Sequence, residues 1–155
     1  MIAGIDYSTK AVDVVLLDED TDAATWHRFT LGALGDGFDR ARTVRAAMPS
    51  SSWWEDHGVA AIGIEDPRGY GAGFLYRVQG GILQCLPRDV LVEPWIPSAW
   101  RTKVGLPGNC TKSVVACHVD EVRGAGGFGP IEAWPQDACD AYCIARATRS
   151  VVETR

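Results

Sequence analysis

"MIAGIDYSTKAVDVVLLDED", Met1 to Asp20, decides the fold. Ile2 to Ile5 and Val12 to Leu17 are apolar runs of strand length joined by a tight polar turn, and they read as two buried, paired strands. Asp6 interrupts that reading. It sits where the first strand should still be burying side chains, and a buried carboxylate is costly unless something pairs with it. What Asp6 faces has to come from the rest of the chain.

Downstream, "DEDTD" is a turn and "AATWHRFTL" alternates like a third, antiparallel strand. "GALGDG" is a loop, and "FDRARTVRAAM" places Phe38, Ala41, Val44 and Met48 at helical spacing. "PSSSWWEDHG" reads as a second loop, with Trp53–Trp54 packing under the sheet. "VAAIGIE" is nearly continuously apolar and suits the middle of a sheet covered on both faces. A glycine-rich loop, "DPRGYGAG", leads into the helix "FLYRVQGGILQCL", whose weakest point or close-packing site is Gly80–Gly81. "DVLVEP" is a short strand, "PSAWRTKVG" a short helix with Pro97 at its start, and Asn109 can cap a further helix. "PQDACDAYCIARATRSVVE" is the last helix. The order βββαβαβααα predicts one α/β domain over residues 1–155, built on a mixed sheet.

Composition narrows the function classes. The chain has 155 residues, 46% of them hydrophobic and 23% charged, an ordinary balance for a globular domain. No apolar run reaches the roughly 18–20 residues of a membrane span, and no secretory leader is visible at Met1. The expectation is a cytoplasmic protein with no membrane partner. Cys85, Cys110, Cys117, Cys139 and Cys143 show no zinc spacing with His27, His57 or His118 and read as reduced thiols.

The formal net charge of −5 argues against a general polyanion binder, but the charge is uneven. Residues 1–67 carry −7, residues 68–112 carry +4 and residues 113–155 carry −2. The basic segment holds Arg68, Arg77, Arg88, Arg101, Lys103 and Lys112.

Asp6 has company. Glu65 also ends a buried apolar run, so neighbouring strands would bring the two carboxylates out at the same sheet region. Asp137 and Asp140, at i and i+3, share a helix face that continues into Ala141, Ile144 and Ala147, while Gln136, Arg146 and Arg149 fall on the solvent side. Four carboxylates aimed at one place do not all stay ionised unaided. A divalent cation resolves the conflict, and oxygen ligands suit Mg²⁺ or Mn²⁺. Two such ions about 4 Å apart can activate a water and stabilise the leaving oxygen of a phosphodiester. Taken singly, each acid has a plainer reading: a turn cap, a solvated strand end, or a helix-start residue favoured by the macrodipole.

As an ordered set, "GIDYSTKAVDVVLLD", "GIE" and "DACDAYCIARA" resemble the three acidic motifs of RuvC-type Holliday-junction resolvases. "PWIPSAWRTKVGLPGNCTKSVVACHV" is similar to that family's basic segment, and "LYRVQGGIL" to its glycine-containing helix. The likeness is strongest to the short phage-encoded relatives and covers nearly the whole chain. It implies a ribonuclease H-like fold, a mixed five-stranded sheet flanked by helices. It also implies catalytic, metal-binding roles for Asp6, Glu65, Asp137 and Asp140, with Mg²⁺ or Mn²⁺, two per site. Arg101 and Lys112 fall on the family's phosphate-contacting positions. Lys103 lies in the same basic segment, and Arg68 and Tyr70 occupy the shortened loop after the second acidic motif, where they would meet DNA. The implied activity is paired nicking of branched DNA by a homodimer, whose patch is expected on the helix around Gly80 and Gly81.

Three rivals share parts of this pattern. An actin-type ATPase needs two such domains, which 155 residues do not supply. An anti-junction factor of the YqgF type shares the fold and the first motif, but the "DACDA" pair and the basic segment favour the RuvC-type resemblance. A non-catalytic branched-DNA protein, or a flap- or fork-cutting nuclease of the same fold, is separated only by activity.

Overall fold

The computed structural model describes residues 1–32, 38–69, 72–125 and 134–155. Five strands form one sheet in the order β3-β2-β1-β4-β5: β1 (Ile2–Tyr7), β2 (Ala11–Leu17), β3 (Ala24–Thr30), β4 (Ala61–Glu65) and β5 (Leu91–Trp95). β2 runs antiparallel to both β1 and β3; β4 lies parallel to β1, and β5 parallel to β4. This is the mixed sheet that the sequence predicts. β1 and β2 are buried along their whole length, which is why both read as unbroken apolar runs. β5 is an edge strand and so tolerates Pro94 within its ladder.

Six helices cover the sheet: α1 (Phe38–Ala47), α2 (Ser51–Asp56), α3 (Ala72–Leu83), α4 (Pro97–Lys103), α5 (Lys112–Ala125) and α6 (Gln136–Val152). Strand side chains alternate between faces. Ala3, Ile5, Val12, Val14 and Leu16 meet Val44, Trp54, Val78 and Ile82 in one core. Ile2, Val15, Leu17 and Ala61 meet Trp100, Val115, Val119 and α6 in the other. No helix among the described residues is long and apolar enough to cross a membrane.

Two local expectations are corrected. "PSSSWWEDHG" is not all loop, because Ser51–Asp56 forms α2. Its first turn closes as the Trp53 N–H donates to the Ser50 carbonyl (3.0 Å), and Trp54 is fully buried in the core. Burying that indole outweighs the weak helix propensity of the serines. Asn109 caps nothing: α5 begins at Lys112, with the Thr111 carbonyl accepting from Val114 and Val115. Asn109 instead sits in the turn that the Cys110 N–H closes onto the Pro107 carbonyl (3.0 Å). The middle of the expected loop "GALGDG", residues 33–37, lies outside the described residues.

α6 makes the closest approach to the sheet. A Cβ on Gly4 would stand 2.0 Å from the Ala141 carbonyl oxygen and 2.5 Å from the Ala145 nitrogen. A Cβ on Gly63 would stand 2.1 Å from Thr148 Oγ1. The helix therefore lies almost backbone-to-backbone on β1 at Gly4, and its Thr148 and Ile144 side chains fill the space over Gly63 on β4. With α4 and α5 packed on its other flank, residues 138–145 are buried continuously. Arg146 and Arg149, expected on the solvent side, are partly covered and both pair with Asp22.

Gly4→Ala should destabilise the protein by about 3 kcal/mol or more, since backbone rather than a flexible side chain must move. Gly80→Ala, where nothing lies within 4 Å of the new Cβ, should stabilise by on the order of 0.5–1 kcal/mol from helix propensity alone. Urea unfolding of both variants checks the pair; a Gly4→Ala protein as stable as wild type would contradict the close crossing.

Candidate active site

Asp6 is the penultimate residue of β1, and Glu65 ends β4. The ladder pairs Ile5 with Ile64, so the next residue on each parallel strand is a carboxylate, on strands about 4.8 Å apart. Asp140 lies on the first turns of α6, one residue before the contact of Ala141 with Gly4. Asp6 and Asp140 are both buried, at 7% and 4% exposure. Three of the four predicted acids thus come from three rigid elements to one covered place at the C-terminal ends of β1 and β4.

Their electrostatics reflect that placement. Burial pushes the Asp6 carboxyl well above the usual range, and Glu65, Asp140 and Asp137 push it further. Burial also raises Glu65, opposed by a hydrogen bond from Trp100 Nε1 to Oε2 (3.3 Å) and by the positive charges of Arg101 and Lys112. Burial raises Asp140 too, opposed by a bond from Gln136 Nε2 to Oδ1 (2.9 Å) and by the same two cations. Arg101 and Lys112, expected from the sequence to meet DNA phosphates, are thus close enough to lower both of these carboxyls. The Glu65 backbone is pinned as well, its carbonyl accepting from the Tyr7 hydroxyl (3.0 Å) and from Gln79 Nε2 (3.1 Å).

Asp137 is held differently. It is about one-third exposed, and Arg28 Nη2 lies 3.3 Å from its Oδ2 while Lys112 Nζ lies 4.0 Å from its Oδ1. Among the described residues, no three Asp, Glu, His or Cys side chains form a ready-made group that could hold a metal ion. The donor chemistry nonetheless fits a hard divalent cation. The set is all carboxylate, it stands on strands and a helix, and among the described residues no side-chain donor reaches Asp6.

The remaining predicted residues scatter. Arg68 is exposed and pairs with Asp66 at 2.6 Å. Lys103 lies beside the other end of α6, lining a pocket of about 240 Å³ with His118, Arg146 and Arg149, away from the acids. Tyr70 lies outside the described residues. The cysteines are free, and burial pushes the Cys139 thiol up to about 11, so it stays protonated near neutrality.

Three residues around the site went unread in the sequence, Trp100, Arg28 and Asp13, and Gln136, expected on the solvent side, instead turns to Asp140. Asp13 carried the same signal as Asp6, a carboxylate inside the apolar run "AVDVVLL". It stands directly opposite Asp6 across the β1–β2 ladder. It is 1% exposed, and it accepts from Trp26 Nε1 (2.8 Å) with Arg28 Nη2 at 3.5 Å.

The five-stranded mixed sheet flanked by helices is a ribonuclease H-like fold, the fold of the solved RuvC structures that it resembles. RuvC of Thermus thermophilus superposes with a TM-score of 0.67 at 19% identity, over 99% of this chain and 96% of that one. The same organism's RuvC in complex with Holliday junction substrate gives 0.69 at 16%, over 98% and 94%. The yeast mitochondrial Holliday junction resolvase Ydc2 gives 0.55 at 13%, over 95% and 78%. At these identities the likeness is one of fold. No protein-family model matches the chain, and no curated protein sequence matches it.

The raised Asp6 carboxyl also affects stability. A carboxyl whose folded pKa lies above its unfolded value, about 3.9 for aspartate, is held protonated more tightly by the native state. Its burial then weakens the fold as pH rises from about 4 through the raised value. Asp6→Asn should therefore unfold at a higher temperature than wild type at pH 7 without divalent cations, and this advantage should shrink towards pH 4. Thermal unfolding at both pH values checks this; an advantage that grows on acidification would refute the assignment.

Proposed function

We propose that this protein is a divalent-metal-dependent endonuclease that cuts phosphodiester bonds in branched DNA, with four-way junctions as its principal substrate. One observation carries the reading: Asp6, Glu65 and Asp140 converge from β1, β4 and α6, the two aspartates buried and Glu65 partly so, each pushed above its normal pKa. Such a site is poorly served by protons alone and well served by cations. The RuvC-type fold supports the choice of substrate, since one of the matching structures is a RuvC bound to a Holliday junction.

Asp6, Glu65 and Asp140 would hold Mg²⁺ or Mn²⁺, with Asp137 completing the set for a second ion. The chemistry such ions supply is activation of a water and stabilisation of the leaving oxygen. The chain's own residues do the positioning. Trp100 and Gln136 each hold one carboxylate oxygen and so orient the acids. Arg101 and Lys112 offset the negative field and offer charge to the DNA backbone next to the acids. Lys112 opens α5, so its positive charge is carried at the helix end whose free N–H groups favour an anion.

Paired nicks on strands related by two-fold symmetry call for two sites, which a C2 homodimer supplies. α3 exposes Phe74 (56%), Tyr76 (44%) and Leu83 (43%) and is the candidate patch. Gly81 is already used by α1, because a Cβ there would meet Val44 Cβ at 2.8 Å, which leaves Gly80 as the open approach point. The place of action is the cytoplasm, the host's if the protein is phage-encoded.

The decisive assay incubates labelled four-way junctions, flaps, forks and duplex with and without Mg²⁺ or Mn²⁺. Junction cleavage should need the metal, and Asp6→Asn or Asp140→Asn should lower it by on the order of 10³-fold or more while junction binding persists. Binding without cleavage in either metal would make this a non-catalytic branched-DNA protein. Cleavage confined to flaps or forks would replace junction resolution. Separately, Lys112→Ala and Arg101→Ala should each flatten the salt dependence of junction affinity by roughly one counterion; unchanged slopes would remove them from the DNA interface. Sedimentation of the wild type at micromolar concentration should give twice the chain mass, and Gly80→Arg should shift it towards monomer.

A further inference from the structure

Asp13 and Arg28 take no part in the site as proposed, yet both point into it. β2 carries Asp13 directly opposite Asp6 on β1 and directly opposite Arg28 on β3, so all three side chains leave the same face of the sheet. Asp13 is almost completely buried, and its two oxygens are divided between two β3 side chains. Oδ1 accepts from the Trp26 indole at 2.8 Å, and Oδ2 lies 3.5 Å from Arg28 Nη2. That same Nη2 reaches across to Asp137 Oδ2 at 3.3 Å. One guanidinium thus joins a buried anchor on β2 to the partly exposed acid in the first turn of α6. Trp26 repeats the link beside it, its ring 6.4 Å from that of Trp134, two residues before α6.

We propose that Arg28, anchored by Asp13, is a positioning residue for Asp137: it fixes one oxygen of that carboxylate and leaves Oδ1 to ligate a divalent cation. This rests on the metal-dependent reading above. An unanchored aspartate at the exposed start of a helix samples several rotamers, and each lost orientation lowers its value as a ligand. Arg28 alone would not hold it, since a long side chain that is itself more than one-third exposed is mobile. Asp13 supplies the fixed end. Lys112, 4.0 Å from Asp137 Oδ1, occupies the ligating side only loosely, and DNA phosphate can draw it away.

A bystander cation predicts the opposite behaviour. If Arg28 merely repelled metal, Arg28→Met would tighten metal binding, and Asp13→Asn/Arg28→Met, which leaves the net charge unchanged, would restore wild-type affinity. If Arg28 positions Asp137, both proteins lose affinity. Loss of an outer contact to a metal ligand typically weakens binding about 10–100-fold.

The experiment titrates Mn²⁺ into DNA-free wild type, Arg28→Met and the double variant, by calorimetry and Mn²⁺ paramagnetic resonance. Circular dichroism checks the fold of each. The expected result is a loss of about 10–100-fold in the weaker of two Mn²⁺ sites in both variants, with junction affinity in chelator unchanged. Should Arg28→Met leave Asp13 unpaired and misfold, the double variant decides alone. Unchanged or tighter Mn²⁺ binding in the folded variants overturns the proposal and leaves the nuclease reading standing. A drop in chelator-phase junction affinity with Mn²⁺ affinity intact also overturns it, making Arg28 a phosphate contact. A wild type that binds no Mn²⁺ removes the metal-dependent reading itself, and this proposal with it.

Discussion

The structure depends on how closely α6 lies on the sheet. Gly4 meets the helix backbone and Gly63 meets the Thr148 and Ile144 side chains, so the height and register of α6 over β1 and β4 are set by hard contact. Thr148 locks the same crossing chemically. Its hydroxyl, which lies against Gly63, donates to the Ile144 carbonyl and accepts from Trp95 Nε1 on β5. With the helix fixed in this way, the position of Asp140 relative to Asp6 and Glu65 is set by the covalent chain. Acids carried on loops would settle apart under their mutual repulsion. These cannot, because moving them means unpacking the core of one whole sheet face.

That rigidity gives the charge distribution its meaning. Within a net acidic chain, two cations of the basic segment stand near the acids, and Arg101 and Lys112 lower the raised pKa values of Glu65 and Asp140. At Asp6 the main opposing influence is the Tyr7 backbone, against burial and three neighbouring acids. The deficit is therefore greatest at Asp6. The other sheet face carries no such conflict: its described core is apolar side chains from β1, β2, β4, α1, α2 and α3. One face holds the fold together, and the other holds a strained charge arrangement against it.

Most of the architecture was legible because burial and periodicity coincide in it. β1, β2 and β4 are covered on both faces and read as apolar runs, and α6 showed its stripe through Ala141, Ile144 and Ala147. The failures have equally physical causes. α2 is too short to show a helical period, and its existence rests on one indole, Trp54, finding the core. Arg146 and Arg149 looked solvent-facing because Asp22, their partner, lies in a turn more than a hundred residues away in sequence. The acids were legible as strand-end and helix-face anomalies. The donors that orient them were not, since Trp100, Gln136 and Arg28 are ordinary residues until the fold brings an acid within reach.

Asp6 and Asp13 show what separates a functional carboxylate from a structural one. Both are aspartates inside buried strands, on the same sheet face and directly opposite each other, with Cα atoms about 5 Å apart. Burial raises both. At Asp13 the surroundings answer the charge, with an indole N–H on one oxygen and a guanidinium beside the other. At Asp6 the principal neighbours are three more acids, which add to the penalty. A fold gains nothing from that arrangement in water alone, and the expected outcome of neutral drift would be Asn, Ser or an apolar residue at the position. What marks a buried charge as functional is the absence of an answer from the protein, because the answer is then left for something the protein binds.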